Sequence, residues 1–243
     1  MLDRNRRPGF AKDQRLERRN VAVGTAMRRK LTFADRAEAG RLLAERLAAL
    51  RLEAPLVLAL PRGGVPVAAE VARALSAPLD VAFVRKIGAP YQPELAVGAV
   101  ADGVEPEIVL NDELVASLGI DADFIAAQAR RELASIKRRR AEYAPLRARV
   151  DPAGRAVIVI DDGVATGMTM QAALRHLKRR KPARLIAAVP VASRDALEML
   201  EREADEVVCL AAPRDFSSVG AFYRDFGQVS DEEVATLLRA ANG

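Results

Sequence analysis

The 243-residue sequence has no tryptophan, one cysteine, one histidine and only 4% aromatic residues. A single cysteine, Cys209, allows no internal disulfide and no cysteine metal cluster, so a reducing cytoplasm is the expected compartment. It lies in the apolar run 207–210 and reads as a buried strand residue, not a nucleophile. The lone histidine, His176, stands in a helical stretch beside Lys178 and Arg179 and reads as a surface residue without a catalytic role. No stretch is apolar for long enough to span a membrane, and the first residues form no signal-peptide core. The phosphate loops G-x-G-x-x-G and G-x-x-x-x-G-K-[ST] are both missing. What is present is an Ala/Leu/Val-rich chain, half of it hydrophobic. It is long enough for one α/β domain with a sizeable core.

The net charge of +5 is unevenly placed. Residues 1–30 hold ten Lys/Arg and three Asp/Glu, and the other residues hold 28 basic and 30 acidic side chains. The basic arm suits nucleic acid or acidic lipid heads. It carries a single aromatic, Phe10, and no helical stripe, so a solvated, disordered extension is the preferred reading and no nucleic-acid partner is expected. Met27, which opens MRRKLTF, offers an alternative start.

Residues 157–170 read VIVIDDGVATGMTM. Four β-favouring apolar residues suit a strand buried on both faces of a parallel sheet. Asp161 and Asp162 follow, then a loop of Gly163, Val164, Ala165, Thr166, Gly167, Met168 and Thr169, then helical periodicity to about residue 180. The glycines let backbone approach a ligand, and the free N–H groups of a helix start favour phosphate. The two carboxylates would repel phosphate but suit neutral hydroxyls. A ribose 5-phosphate spans both halves.

The rest of the chain alternates strands with helices, which implies a doubly wound, mostly parallel sheet with helices on both faces. A helix is expected over 33–50 with Thr32 and Asp35 as capping pair. A strand is expected over 56–60, a turn Pro61-Arg62-Gly63-Gly64, and a helix over 67–75. The next strand, 79–84, is expected to end at Arg85 and Lys86 and to aim both cations at the crevice beyond the sheet. Residues 91–120 hold six acids and no base, with two short strands, 96–100 and 108–110, and a loop acid, Glu94. Helices are expected over 121–143, with a solvated basic run at 137–140, and over 194–203 and 231–241, the last capped by Ser230 and Glu233. The remaining strands are 184–191 and 206–210. The densest aromatic patch is PRDFSSVGAFYRDFGQ, residues 213–228.

The stretch 157–170 resembles the phosphoribosyl pyrophosphate (PRPP) motif of type I phosphoribosyltransferases. FADRAEAG, LPRGGVPVA and VRKIGAP, in that order before it, are similar to a bacterial group of that family with no assigned acceptor. The resemblance runs from Leu31 to the C-terminus. It implies one domain over 31–243 with a small C-terminal hood at about 211–243. It also implies transfer of a 5-phosphoribosyl group from PRPP to a nitrogen acceptor, a nucleobase or other small molecule, with release of pyrophosphate. It further implies Mg²⁺ carried in with PRPP, no protein metal site, and a homodimer. In this reading Arg62, Arg85 and Lys86 meet pyrophosphate beside Gly63 and Gly64. Asp161 and Asp162 hold the ribose, and residues 163–169 hold the 5′-phosphate. Phe216 and Val219 of the hood contact the acceptor, a mobile loop from 91–120 closes over the site, and the Pro61–Arg62 peptide is cis. Hypoxanthine-guanine enzymes have an Asp where Ala165 stands, so that acceptor class loses ground. A PRPP-binding regulator without turnover is the alternative, with the basic arm in its favour.

Overall fold

The structure is a computed structural model and describes residues 32–102, 106–146 and 150–243. The basic arm lies outside the described residues. Strands β1 (Leu56–Ala59), β2 (Leu79–Val81), β6 (Ala156–Ile160), β7 (Arg184–Val191) and β8 (Glu206–Ala211) form a parallel sheet in the order β2-β1-β6-β7-β8. A separate antiparallel sheet holds β3 (Val84–Ala89), β4 (Gln92–Ala101) and β5 (Glu107–Leu110). The helices are α1 (Arg36–Ala48), α2 (Gly64–Leu75), α3 (Asp112–Ser117), α4 (Ala122–Tyr143), α5 (Met168–Arg179), α6 (Arg194–Glu203) and α7 (Asp231–Asn242).

Every residue of β1 and β6 is buried, as unbroken apolar runs require when both faces of a sheet are covered. Alternate side chains go to opposite layers. Leu56, Leu58, Val157 and Val159 pack with Met170, Leu174 and Leu200 of α5 and α6. Val57, Ala59, Ile158 and Ile160 pack with Leu43, Leu47, Val71, Val234 and Leu238 of α1, α2 and α7. The small sheet lies between α5 and α4: Val84, Ala99 and Val109 join the α5 layer, while Ile87, Ala89 and Val97 meet Ala129 and Ile136 of α4.

Three local expectations are corrected. Helix α1 has Asp35, not Thr32, as its N-cap residue, and the Asp35 carboxylate accepts from the N–H of Glu38. Phe33 instead bridges to Tyr223 of the C-terminal segment; it is buried and its N–H donates to the Phe222 carbonyl. Helix α2 starts at Gly64, three residues earlier than its apolar spacing indicated. Pro66 falls in its first turn, where no intrahelical N–H bond is lost. The expected strand 79–84 breaks after Val81, and Arg85 and Lys86 belong to the antiparallel strand β3. The Pro61–Arg62 peptide is cis.

Of the C-terminal segment, residues 213–227 lie over the end of the large sheet, and Phe216, Phe222 and Tyr223 pack with Phe33, Ala39 and Val191. Helix α7 packs elsewhere, against α2 and β2. The basic stretch 137–140 is solvated as expected, with Lys137, Arg138 and Arg140 exposed; Arg140 also bonds Asp102 at 2.9 Å and Arg139 reaches Asp231 at 3.9 Å.

Candidate functional site

The chain leaves β1 toward β2 on one side, and β6 lies against β1 on the other. The crevice beyond the C-terminal ends of β1 and β6 is therefore the point where strand order reverses, the usual ligand position in open α/β sheets. Ala59 pairs with Ile160, so both strands end at one level and their turns leave side by side. These turns are Pro61-Arg62-Gly63-Gly64 and the segment from Asp161 to Gly167.

The two turns touch. A Cβ on Gly63 would stand 2.2 Å from the Asp162 Oδ2, and one on Gly64 would stand 2.7 Å from the Ile160 carbonyl oxygen. Glycine is needed here for the approach of one turn to the other, a reason that local sequence does not reveal. The β6 turn is also held from β7: the Val164 N–H donates to the Val191 carbonyl, and the Ser193 hydroxyl donates to the Ala165 carbonyl at 2.6 Å. Gly167 closes the turn at φ +80°, a left-handed conformation that favours glycine, and is the N-cap of α5.

The backbone N–H groups of residues 165–169, among the described residues, find no protein acceptor. Ala165 and Thr166 are exposed, Thr169 is half-buried, and Gly167 and Met168 are buried. Five donors at the start of a 12-residue helix make an anion cradle. Ala165 brings no carboxylate to it.

The acids behind the cradle are half-buried. The Asp161 Oδ1 accepts from the Asp162 N–H at 2.9 Å. Burial, with repulsion from Asp162, pushes the Asp161 carboxyl well above the usual carboxylate range. Asp162 is also raised by burial, against the pull of Arg36. Nothing in the sequence around the pair points to that partner. Arg36 Nε lies 2.8 Å from the Asp162 Oδ2 although 126 positions separate them. The Tyr223 hydroxyl donates to the Asp162 carbonyl at 2.5 Å, so the hood also bonds to this turn.

The expected cations part company. Adjacent residues on a strand face opposite ways. Arg85 shares the α4 side of β3 and bonds Glu132 at 3.1 Å, while the Lys86 charge lies close enough to oppose the rise of the Asp161 carboxyl. Both line a cavity of about 570 Å³ with Pro61, Thr169, Gln128 and Arg131. Arg62 turns from the crevice toward the α7 N-terminus, 3.5 Å from Asp231, which also accepts from the Tyr143 hydroxyl at 2.7 Å.

In the hood, a Cβ on Gly163 would meet Val219 at 2.5 Å, so Val219 sits directly on the β6 turn. Phe216 stacks on Phe222 with centroids 5.7 Å apart. Phe226 is stacked against Tyr223 and covered by the Arg36 guanidinium. Two other sequence readings fall outside the crevice. Cys209 is buried in β8 with its thiol pushed up to about 11 by burial, as an inert strand residue should be. His176 is half-buried, not a surface residue, with its imidazole pulled down by burial and by Arg180.

The sequence profile of the phosphoribosyl transferase domain matches residues 108–226. The crystal structure of TT1426 from Thermus thermophilus is 48% identical, covers 87% of this chain and all of its own, and superposes with a TM-score of 0.74. "Putative phosphoribosyl transferase Rv0571c" of Mycobacterium tuberculosis H37Rv is 47% identical over 211 residues, 86% of this chain. The chain belongs to the phosphoribosyl transferase family. It spans 47% of the length of that curated relative.

Within this phosphoribosyl transferase chain the profile covers β5 to the hood and leaves out Arg36, the β1 turn and Lys86. The fold brings these three to the acid pair. Glu94 lies on β4, and its side chain is outside the described part of the structure. Among the described residues no helix is long and apolar enough to cross a membrane.

Proposed function

We propose that this chain transfers a 5-phosphoribosyl group from PRPP to a small nitrogen nucleophile, with a nucleobase as the leading acceptor class. The observation that carries this reading is the cradle of five unpartnered N–H groups at residues 165–169, set beside Asp161 and Asp162 in the switch-point crevice. An anion cradle alone fits any phosphate. The adjoining carboxylates call for hydroxyls next to that phosphate, and ribose 5-phosphate has both.

In this reading the cradle holds the 5′-phosphate and the two carboxylates accept from the ribose hydroxyls. Pyrophosphate lies in the cavity between β3 and α4, facing Lys86, Arg85 and Arg131. The acceptor nitrogen forms its bond to C1 as the C1–O bond breaks and its electron pair leaves with pyrophosphate. The nitrogen then loses its proton to solvent. By analogy with glycoside cleavage the transition state carries positive charge on the ribose, which the nearby carboxylates stabilise. The cations stabilise the opposite charge on the leaving group. Phe216 and Val219 of the hood bound the acceptor position and exclude water.

Among the described residues no cluster of three His, Cys, Asp or Glu side chains suits a metal ion. The donors present fit a Mg²⁺ held chiefly by the oxygens of PRPP. Such an ion would neutralise charge on the pyrophosphate. A homodimer is part of the same proposal.

Calorimetry with Mg-PRPP, followed by pyrophosphate release across a panel of nucleobases and small amines, tests the reading. Micromolar binding and acceptor-dependent release are expected, and Asp162→Asn should weaken PRPP binding about tenfold, or about 1.4 kcal/mol. Absence of PRPP binding would overturn the proposal. Binding without release for any acceptor would favour a PRPP-binding regulator.

A further inference from the structure

Asp162 is confined on two sides. The space for a Cβ at Gly63 is filled by its Oδ2, and the same oxygen accepts from Arg36 Nε at 2.8 Å. Both side chains are largely but not fully out of solvent, at 12% and 13% exposure. Arg36 is itself held at two further points: one terminal nitrogen donates to the Gly227 carbonyl at 2.8 Å, and its guanidinium carbon lies 3.9 Å from the Phe226 ring centre. Phe226 stacks on Tyr223, whose hydroxyl returns to the Asp162 carbonyl. Residues 33–34 before α1 bond the same hood segment through Phe222, Arg224 and Asp225.

A planar guanidinium held at three points has no freedom to follow a moving carboxylate. It determines where that carboxylate stands. Arg36 is also the only cation among the described residues in hydrogen-bond contact with the acid pair; Lys86 acts on Asp161 from farther away. Two neighbouring carboxylates out of water repel, and the bonded Arg36 favours the ionised, accepting form of Asp162.

We propose that Arg36 is a positioning residue of the ribose subsite: it locks Asp162 in the orientation that accepts a ribose hydroxyl and ties that orientation to hood residues 222–227. The inference rests on the PRPP reading above. Arg36 touches no reacting atom and acts through Asp162.

The test is calorimetry of Arg36→Met, Arg36→Lys, Asp162→Asn and Arg36→Met/Asp162→Asn with two probes, Mg-PRPP and Mg-pyrophosphate. Pyrophosphate has no ribose. Arg36→Met should weaken PRPP at least tenfold and leave pyrophosphate affinity unchanged. Arg36→Lys restores charge but not the three-point hold and should fall between. In the Asp162→Asn background the loss of Arg36 should cost nothing further for PRPP, as expected when two residues act as one unit. Equal loss for both probes would show a purely structural role and overturn the proposal. So would unchanged PRPP affinity in Arg36→Met, or additive losses in the double variant. If Arg36→Met is insoluble, Arg36→Lys reads the same split between probes. Failure of the unaltered protein to bind PRPP would overturn the parent reading too, a result distinct from the others.

Discussion

Asp161 shows at one residue the conflict between a site and a stable fold. Its carboxyl is raised by burial and by Asp162, so the folded protein holds the proton more tightly than the unfolded chain does. The stabilisation from that proton is fully present below the unfolded value and is lost as pH rises through the folded one. Asp161→Asn removes this cost. It should raise stability at pH 7.5 by about 1 kcal/mol, or roughly 2–4 °C in Tm, while weakening PRPP binding. The gain should shrink as pH falls toward 4; thermal melts at both pH values check the sign. Gly64 marks a different limit. A methyl group there meets the Ile160 carbonyl and the Asp161 Cα, backbone atoms that have no room to yield. Gly64→Ala should cost about 2 kcal/mol, measurable as a loss in urea midpoint at unchanged slope.

At the scale of elements, short segments decide which side chains reach the crevice. Asp35 caps α1 and so positions Arg36, the first residue of the helix. Asp35→Ala should cost about 1 kcal/mol of stability. It should also weaken PRPP binding, because the helix start that aims Arg36 is loosened. Strand β3 separates Arg85 from Lys86 by the alternation of a pleated strand. Arg85 is paired with Glu132, whereas Lys86 has no ion pair among the described residues and its charge acts on Asp161. Lys86→Ala should therefore reduce PRPP affinity about tenfold, or about 1.4 kcal/mol, and Arg85→Ala less. Equal effects in calorimetry would show that the Glu132 pair breaks on binding. The alternation was legible once β3 was known. Local pattern does not show it, because residues 79–84 look like one strand and only the turn into the small sheet breaks them.

For the whole molecule, charge and topology are separable. The surplus of basic residues lies in 1–30, while every group assigned to the crevice comes from Arg36 onward. Removing residues 1–26 should leave PRPP affinity unchanged at 0.15 M salt, where charges beyond about 8 Å are screened; calorimetry of the truncated chain measures this. The parallel sheet is written into local residues, through apolar runs such as VIVI that only burial on both faces suits. So are the acid pair, the small-residue loop and the helix start after it, since strand, turn and cap are specified by neighbouring residues. Tertiary structure alone decided what surrounds them. Arg36 and Asp162 are 126 positions apart, and Asp162 and Tyr223 are 61 apart. The Gly63 contact with Asp162 is equally remote from any local pattern. Such pairings depend on which strands become neighbours and at what level they end, and no local periodicity carries that information. Arg62 is the clearest case: its sequence neighbours aimed it at an anion, but the packing of α7 beside the turn placed Asp231 within its reach.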